Sequence, residues 1–313
     1  MMMPHLGELI ALSVAMMWTV STLFAEKTIG RMGSDAANVV RLVMAAGMLA
    51  LMLWVGVGSP YPIYADWRVW TWLAASAVIG YLFGDWCLFH CYETIGARLG
   101  QLFMTLAPPI AAIAGWAILG ETLSWKSALA MAVTLSGIAI SILSKGEDRQ
   151  VHLSIPLKGV LLGLGASIGQ GVGLVFSKVG MEHYADIVPT DAPAAMGTLL
   201  PFASTLIRAI VGSVCFLLLM SLRGQTRQLK TAVRDRKGMG YALIMTLLGP
   251  AVGVSLSLMA VRYTSAGIAS TLMGLTPVFI LAPYAFLYHQ RIKARELVGV
   301  AVSMAGVALF FLL

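Results

Sequence analysis

The stretch Gly80 to Ile140 occurs twice. Shifted by 169 residues it falls on Gly249 to Leu309 without a gap, and Gly80/Gly249, Gly84/Gly253, Ala97/Ala266, Met104/Met273, Leu106/Leu275, Pro108/Pro277, Ala132/Ala301, Val133/Val302, Gly137/Gly306 and Ala139/Ala308 coincide. A long apolar repeat of about half the chain excludes solenoids and propellers, whose units are roughly 20–50 residues. It leaves a two-fold membrane architecture.

Composition agrees. Of 313 residues 11% are charged and 59% hydrophobic, with mean hydropathy +0.85, where a soluble chain carries roughly a quarter charged residues. Runs such as Ala36 to Val57, Leu99 to Leu119 and Tyr241 to Val261 exceed the ~18 apolar residues that mark a spanning helix. The N-terminal run has no Lys or Arg before it and no small-x-small site ahead of Glu26, so it reads as a first span and not a signal peptide. The expectation is an all-α polytopic membrane protein with ten spans, at about 6–25, 37–57, 69–92, 99–119, 126–144, 157–179, 199–222, 238–262, 266–288 and 295–313. Five helices per half force the second copy to run upside down, giving inverted five-helix repeats. The halves are 1–145 and 157–313, with a polar linker at 146–156 that includes Glu147, Asp148 and Arg149. An insertion in the second half is expected at Glu182 to Pro201, since Gly7 matches Gly159 at an offset of 152 and Arg41 matches Arg208 at 167.

A net charge of +7 invites a nucleic-acid reading, but the positive residues segregate by side. The loops after odd-numbered spans, with Arg41 at a span edge, hold sixteen of the Lys and Arg residues, and the opposite face holds Arg68, Lys126, Lys178, Arg208 and Arg262. That asymmetry speaks for topology and against nucleic acid, and it puts both termini outside. Cys87, Cys91 and Cys215 sit inside apolar spans as free thiols.

Five polar residues within spans are the candidate substrate-binding set: Trp18, Arg41, Asp85, Gln170 and Arg208. A carboxylate at the depth of Asp85 costs about 2.5–3.5 kcal/mol on insertion scales, so it needs a partner or an aqueous cavity. It either pairs structurally with Lys27 or Arg41, or binds solute or a proton. Its place in the second half is taken by Val254, which breaks the symmetry. Arg41 and Arg208 hold matching places, where they either snorkel to lipid phosphates or face a central cavity as cationic ligands. Trp18 and Gln170 correspond between the first and sixth spans; an aromatic and an amide can grip a planar or zwitterionic solute, although a Trp in a span is more often packing. Glu26, Lys27 and Lys178 read as interface anchors or, as the lesser alternative, as residues lining the pathway, since the repeat symmetry puts the first and sixth spans together. Gly84 and Gly253, each in a small-xxx-small pair, and Pro108 and Pro277, which interrupt helical hydrogen bonding, are the candidate hinges.

Other matches carry no chemistry. Gly165-Ala166-Ser167-Ile168-Gly169 satisfies G-x-S-x-G without a preceding strand or an activating His, and Cys87, His90 and Cys91 lack a fourth ligand. No phosphate-binding loop or HExxH is present. No enzyme activity, cofactor or metal is expected.

The segment Ala260-Val261-Arg262-Tyr263-Thr264-Ser265-Ala266, followed by Leu275-Thr276-Pro277, resembles the drug/metabolite transporter superfamily, in particular its EamA-like ten-helix members. The first half repeats the signature as Tyr92-Glu93-Thr94-Ile95-Gly96-Ala97, Leu106-Ala107-Pro108 and Leu119-Gly120-Glu121-Thr122-Leu123. Departures are Gln290 in place of an acidic residue, Trp18-Thr19 in place of Trp-Gly, and Arg98 among small residues. The resemblance implies a central cavity lined by helices 1, 3, 4, 6, 8 and 9, and cytoplasmic termini, opposite to the charge count. It further implies a secondary transporter of a small polar metabolite, with the bilayer and a small-molecule solute as partners. A lipid-headgroup or carrier-lipid translocase on the same fold is the rival. A receptor or scaffold lacks the soluble output domain it needs.

Overall fold

The computed structural model describes residues 5–144, 156–279, 283 and 294–312. Among them there is no strand. The helices are α1 (Leu6–Met32), α2 (Ser34–Val57), α3 (Trp67–Ala77), α4 (Trp86–Met104), α5 (Ala107–Leu119), α6 (Trp125–Ser144), α7 (Leu157–Ile187), α8 (Ala194–Leu222), α9 (Thr226–Arg234), α10 (Arg236–Thr246), α11 (Val252–Tyr263), α12 (Ala266–Met273), α13 (Thr276–Phe279) and α14 (Ala294–Leu312). Two π-helical turns, Val78–Asp85 and Leu247–Ala251, join α3 to α4 and α10 to α11. Six helical stretches are long and apolar enough to cross a membrane: Leu6–Met32, Ser34–Val57, Trp67–Ile95, Leu157–Ile187, Ala194–Leu222 and Arg236–Tyr263. Four shorter apolar helices are Ala107–Leu119, Trp125–Ile140, Ala266–Phe279 and Leu297–Leu309.

The halves interlock. α7 packs on α3, α4 and the turn between them, α1 packs on α10 and α11, α2 packs on α8 and α6 on α14. Several of these contacts are reciprocal. A Cβ on Gly137 would meet Ser303, and one on Gly306 would meet Thr134; Gly137 and Gly306, like Thr134 and Ser303, are related by the 169-residue shift. Likewise Gly7 lies against Thr264 and Gly159 against Ile95.

Gly169 and Gly173 of α7 are in backbone contact with the first half. A Cβ on Gly169 would stand 2.5 Å from the Gly84 Cα, and one on Gly173 2.9 Å from the Gly80 Cα. Ser76 Oγ donates to the Gly173 carbonyl at 2.6 Å, which ties the same crossing. The second-half equivalents, Gly249 and Gly253, face Ser21 and Trp18 side chains on α1 instead.

Several boundaries differ from the apolar runs. α1 continues to Met32 and α7 to Ile187, because helix propagation does not stop where the hydrophobic segment does. The insertion expected at Glu182 to Pro201 is therefore mostly helix: only the connection around Pro189 to Pro193 remains, and Pro201 lies within α8. Between the third and fourth spans the chain bends sharply without leaving helical geometry, and a Cβ on Gly100 would lie 2.6 Å from the Tyr92 ring; in a straight helix eight residues cover about 12 Å. The Arg223 to Lys237 connection contains the basic helix α9. The linker apart from Pro156, most of the ninth span after Phe279, and Gln290 lie outside the described residues.

Candidate functional site

A cavity of about 210 Å³ lies between the halves. Its wall takes residues from α1 (Trp18, Ser21, Thr22, Ala25), α2 (Arg41), the first π-helical turn (Tyr81, Asp85), α7 (Gln170, Leu174), α8 (Arg208) and the second-half helices through Ser257, Ser270 and Thr276. All five residues of the candidate binding set line it. Lining from the second and seventh spans, here α2 and α8, adds two elements to the six spans that the resemblance implied.

Arg41 and Asp85 form a buried ion pair, with side-chain exposures of 11% and 7%. Arg41 Nε donates to Asn38 Oδ1 at 2.9 Å, and its guanidinium carbon lies 4.9 Å from the centre of the Phe89 ring. The other Asp85 oxygen accepts from Gln170 Nε2 at 2.6 Å. Of the two basic partners weighed for Asp85, Arg41 is therefore the one. Lys27 instead sits 5.6 Å from both the Phe24 and Tyr241 ring centres.

Arg208 is 5% exposed and rests over Tyr81, 4.5 Å from the ring centre. Among the described residues no acid lies within ion-pair distance of it, and its Nε and the Tyr81 hydroxyl have no hydrogen-bond partner.

The site sits where helices are broken. Val78–Asp85 and Leu247–Ala251 occupy matching places in the repeat, and π-turns recur at functional sites because they re-aim side chains and free backbone groups. Pro250, in the second turn, has no N–H to donate. Pro108 and Pro277 are not mid-helix kinks. Each stands in the first turn of a new helix, α5 or α13, after the breaks at Thr105-Leu106 and Gly274-Leu275, where its missing N–H costs nothing. Thr105, Pro108 and Gly274 line the cavity, and Pro277 and Gly253 do not. Gly253 packs against the Trp18 indole and Gly84 against α7.

Two polar clusters were not read as such from the sequence. On the side where α1 begins, Lys178 Nζ donates to Glu121 Oε1 at 2.5 Å and to the Thr264 carbonyl at 3.1 Å. Glu121 Oε2 accepts the Ala266 N–H at 3.0 Å, and Thr264 Oγ1 bonds Glu8 Oε1 at 3.0 Å. Lys178 is thus a cross-link between halves and not an interface anchor. At the opposite end His90 lies between Glu93, at 2.8 Å, and Asp35, at 3.5 Å, and Arg31 forks onto Asp235 at 2.6 and 2.9 Å. Outside the spans, Asp66 is held below the usual carboxylate range by the Val69 N–H that it caps and by His183, and Asp235 likewise by Arg31 and the Gly238 N–H. Among the described residues no three His, Cys, Asp or Glu side chains meet as metal ligands.

The model of the EamA-like transporter family matches residues 5–143 and again 157–312. The chain belongs to the EamA-like transporter family. It is an integral, multi-pass membrane protein of a family of transporters. An uncharacterized transporter of Clostridium kluyveri is 27% identical over 118 residues, 38% of this chain. That match spans 37% of the relative's length. A solved crystal structure shares the fold with a TM-score of 0.71 at 13% identity, over 98% of this chain and 96% of that one.

Proposed function

We propose that this member is a secondary transporter that moves a small polar metabolite, anionic or zwitterionic and amino-acid-like, across the bacterial inner membrane or an equivalent plasma membrane, in the efflux direction. The carrying observation is one cavity between the halves with Trp18, Arg41, Asp85, Gln170 and Arg208 on its wall. Charged side chains at membrane depth are retained where a solute or ion passes.

Ten spans, arranged as inverted repeats 1–145 and 157–313 about the linker 146–156, are part of this reading. The six long and four shorter apolar helices, the double family match and the reciprocal glycine contacts support it. Alternating access follows as a rocking of one repeat on the other. Gly84, Gly253 and the breaks before Pro108 and Pro277 serve as hinges, and the Lys178–Glu121 cross-link closes one side.

The test is counterflow in proteoliposomes against a panel of labelled amino-acid-like acids and lipid phosphates. Wild type accumulates a soluble metabolite, and Asp85→Asn, folded by its melting curve, loses accumulation or its pH dependence. Exchange of lipid phosphates alone would replace this reading by a lipid translocase.

A further inference from the structure

The cavity's charges do not balance among the described lining residues: Arg41 and Arg208 face one carboxylate, Asp85. That carboxylate is committed. One oxygen takes Arg41 and the other takes the Gln170 amide, and Arg41 spends a further donor on Asn38. Among the described residues Arg208 lies over the Tyr81 ring and its Nε has no hydrogen-bond partner. A cation–π contact offsets part of the desolvation of a guanidinium but satisfies none of its five N–H donors. A buried guanidinium in a membrane protein normally meets an anion, because leaving it uncompensated is among the costlier arrangements in an apolar medium. Beside it, the Tyr81 hydroxyl is a second buried polar group without a partner among the described residues.

We propose that Arg208, assisted by the Tyr81 hydroxyl, is the docking point for an oxyanion of the solute, a carboxylate or a phosphate, so that the cavity accepts net-anionic solutes and rejects cations. The inference rests on the reading of this cavity as the solute site, and narrows it. A zwitterion needs a free carboxylate for its ammonium, and Asp85 is already shared between Arg41 and Gln170. A monoanion needs only Arg208. The planar guanidinium fork suits a carboxylate or phosphate in a two-point grip that an ammonium cannot reproduce.

The test uses the purified full chain and three probes: sodium acetate, inorganic phosphate and choline chloride, each titrated at constant ionic strength with the melting temperature as readout. Wild type shows a saturable rise with acetate or phosphate and none with choline. Saturation by acetate alone assigns a carboxylate group, and by phosphate alone a phosphorylated one. Arg208→Gln loses the rise, and Arg208→Lys weakens the apparent affinity by at least roughly tenfold, the scale of one charge-assisted hydrogen bond. Tyr81→Phe weakens it less. Lys126→Gln, which removes a positive charge from an exposed position outside the cavity, leaves it intact. No saturable rise with either oxyanion, an undiminished rise in Arg208→Gln and Arg208→Lys, or stabilisation by choline would each overturn the proposal. Its failure is separable from failure of the transporter reading by the counterflow assay. Exchange of a neutral or cationic solute that ignores Arg208→Gln keeps the transporter and removes the anion site, whereas Arg208-dependent oxyanion binding without any flux does the reverse.

Discussion

Arg41 and Arg208 stand at matching places 167 residues apart, on helices that pack against each other, both nearly buried and both facing one cavity. The difference in their surroundings that bears on charge is one position of the repeat: the first half has Asp85 where the second has Val254. Arg41 is consequently tied into a chain of Asn38, Asp85 and Gln170, while Arg208 lies on an aromatic face with no counter-ion among the described residues. The arginine with a carboxylate beside it is tied within the protein, and the one without is open to a ligand.

The sharpest way to break this contrast is Asp85→Val, which gives the first half the second half's residue. Removing one member of a buried pair typically costs about 3–5 kcal/mol, because the survivor is left charged and unsatisfied. Melting curves in detergent read the loss, and Arg41→Met combined with Asp85→Val is expected to recover most of it, a coupling that a double-mutant cycle isolates. If Asp85→Val melts like wild type, Arg41 tolerates the situation of Arg208 and the asymmetry says nothing about stability.

The helix crossings offer the same contrast between halves at smaller scale. Alanine at Gly169 would press on the Gly84 Cα at 2.5 Å and the Ile79 carbonyl at 2.8 Å, both backbone atoms, so the helices must separate. Overpacking of this kind costs about 1–3 kcal/mol. Alanine at Gly249 meets the Ser21 hydroxyl at 2.7 Å, a side chain that can turn away, and the expected loss is smaller. Equal shifts in melting temperature for the two variants would show that the crossings are interchangeable after all.

Arg208→Met is expected to change stability by less than about 1 kcal/mol, since the lost contact with the Tyr81 ring is offset by no longer burying an unpaired charge. Against the Asp85→Val loss this is the cleanest separation of a structural arginine from one held for a ligand. A drop in melting temperature as large as that of Asp85→Val would mean that Arg208 has a structural partner.

Much of this was legible in the sequence because the chain states it twice. The 169-residue shift locates the glycine seams, and the depth of Asp85 demands a partner, with Arg41 one of two choices. Other features leave no local trace. Lys178 and Glu121 are 57 residues apart, and each looked like a span-edge residue on its own; only the fold brings α7 to the end of α5. The ends of α1 and α7 overshoot the hydrophobic signal because Lys27, Arg31, Glu182 and Asp186 remain in helical register beyond the apolar core. The π-turns have one cue, Pro250, and it appears in only one copy. Tyr81 lies four residues before Asp85, yet nothing in its spacing announces the Arg208 that stacks on it.

The smallest expected effect compares two carboxylates on one helical stretch, Asp85 in the cavity and Asp66 at the start of α3. Asp66 caps the helix by accepting the Val69 N–H at 2.8 Å and lies 3.1 Å from His183, and its folded-state pKa is depressed. A depressed carboxylate contributes stability above its unfolded value of about 3.9 and loses it as pH falls through the lower folded value. Wild type should therefore be slightly more stable than Asp66→Ala from pH 5 upward, and the two melting curves should converge as the pH is taken well below 4. Solvent screens this exposed group, so the gap at neutral pH stays far below that of Asp85→Val. A gap that persists undiminished at pH 3 would show that the cap acts through packing of the side chain and not through its charge.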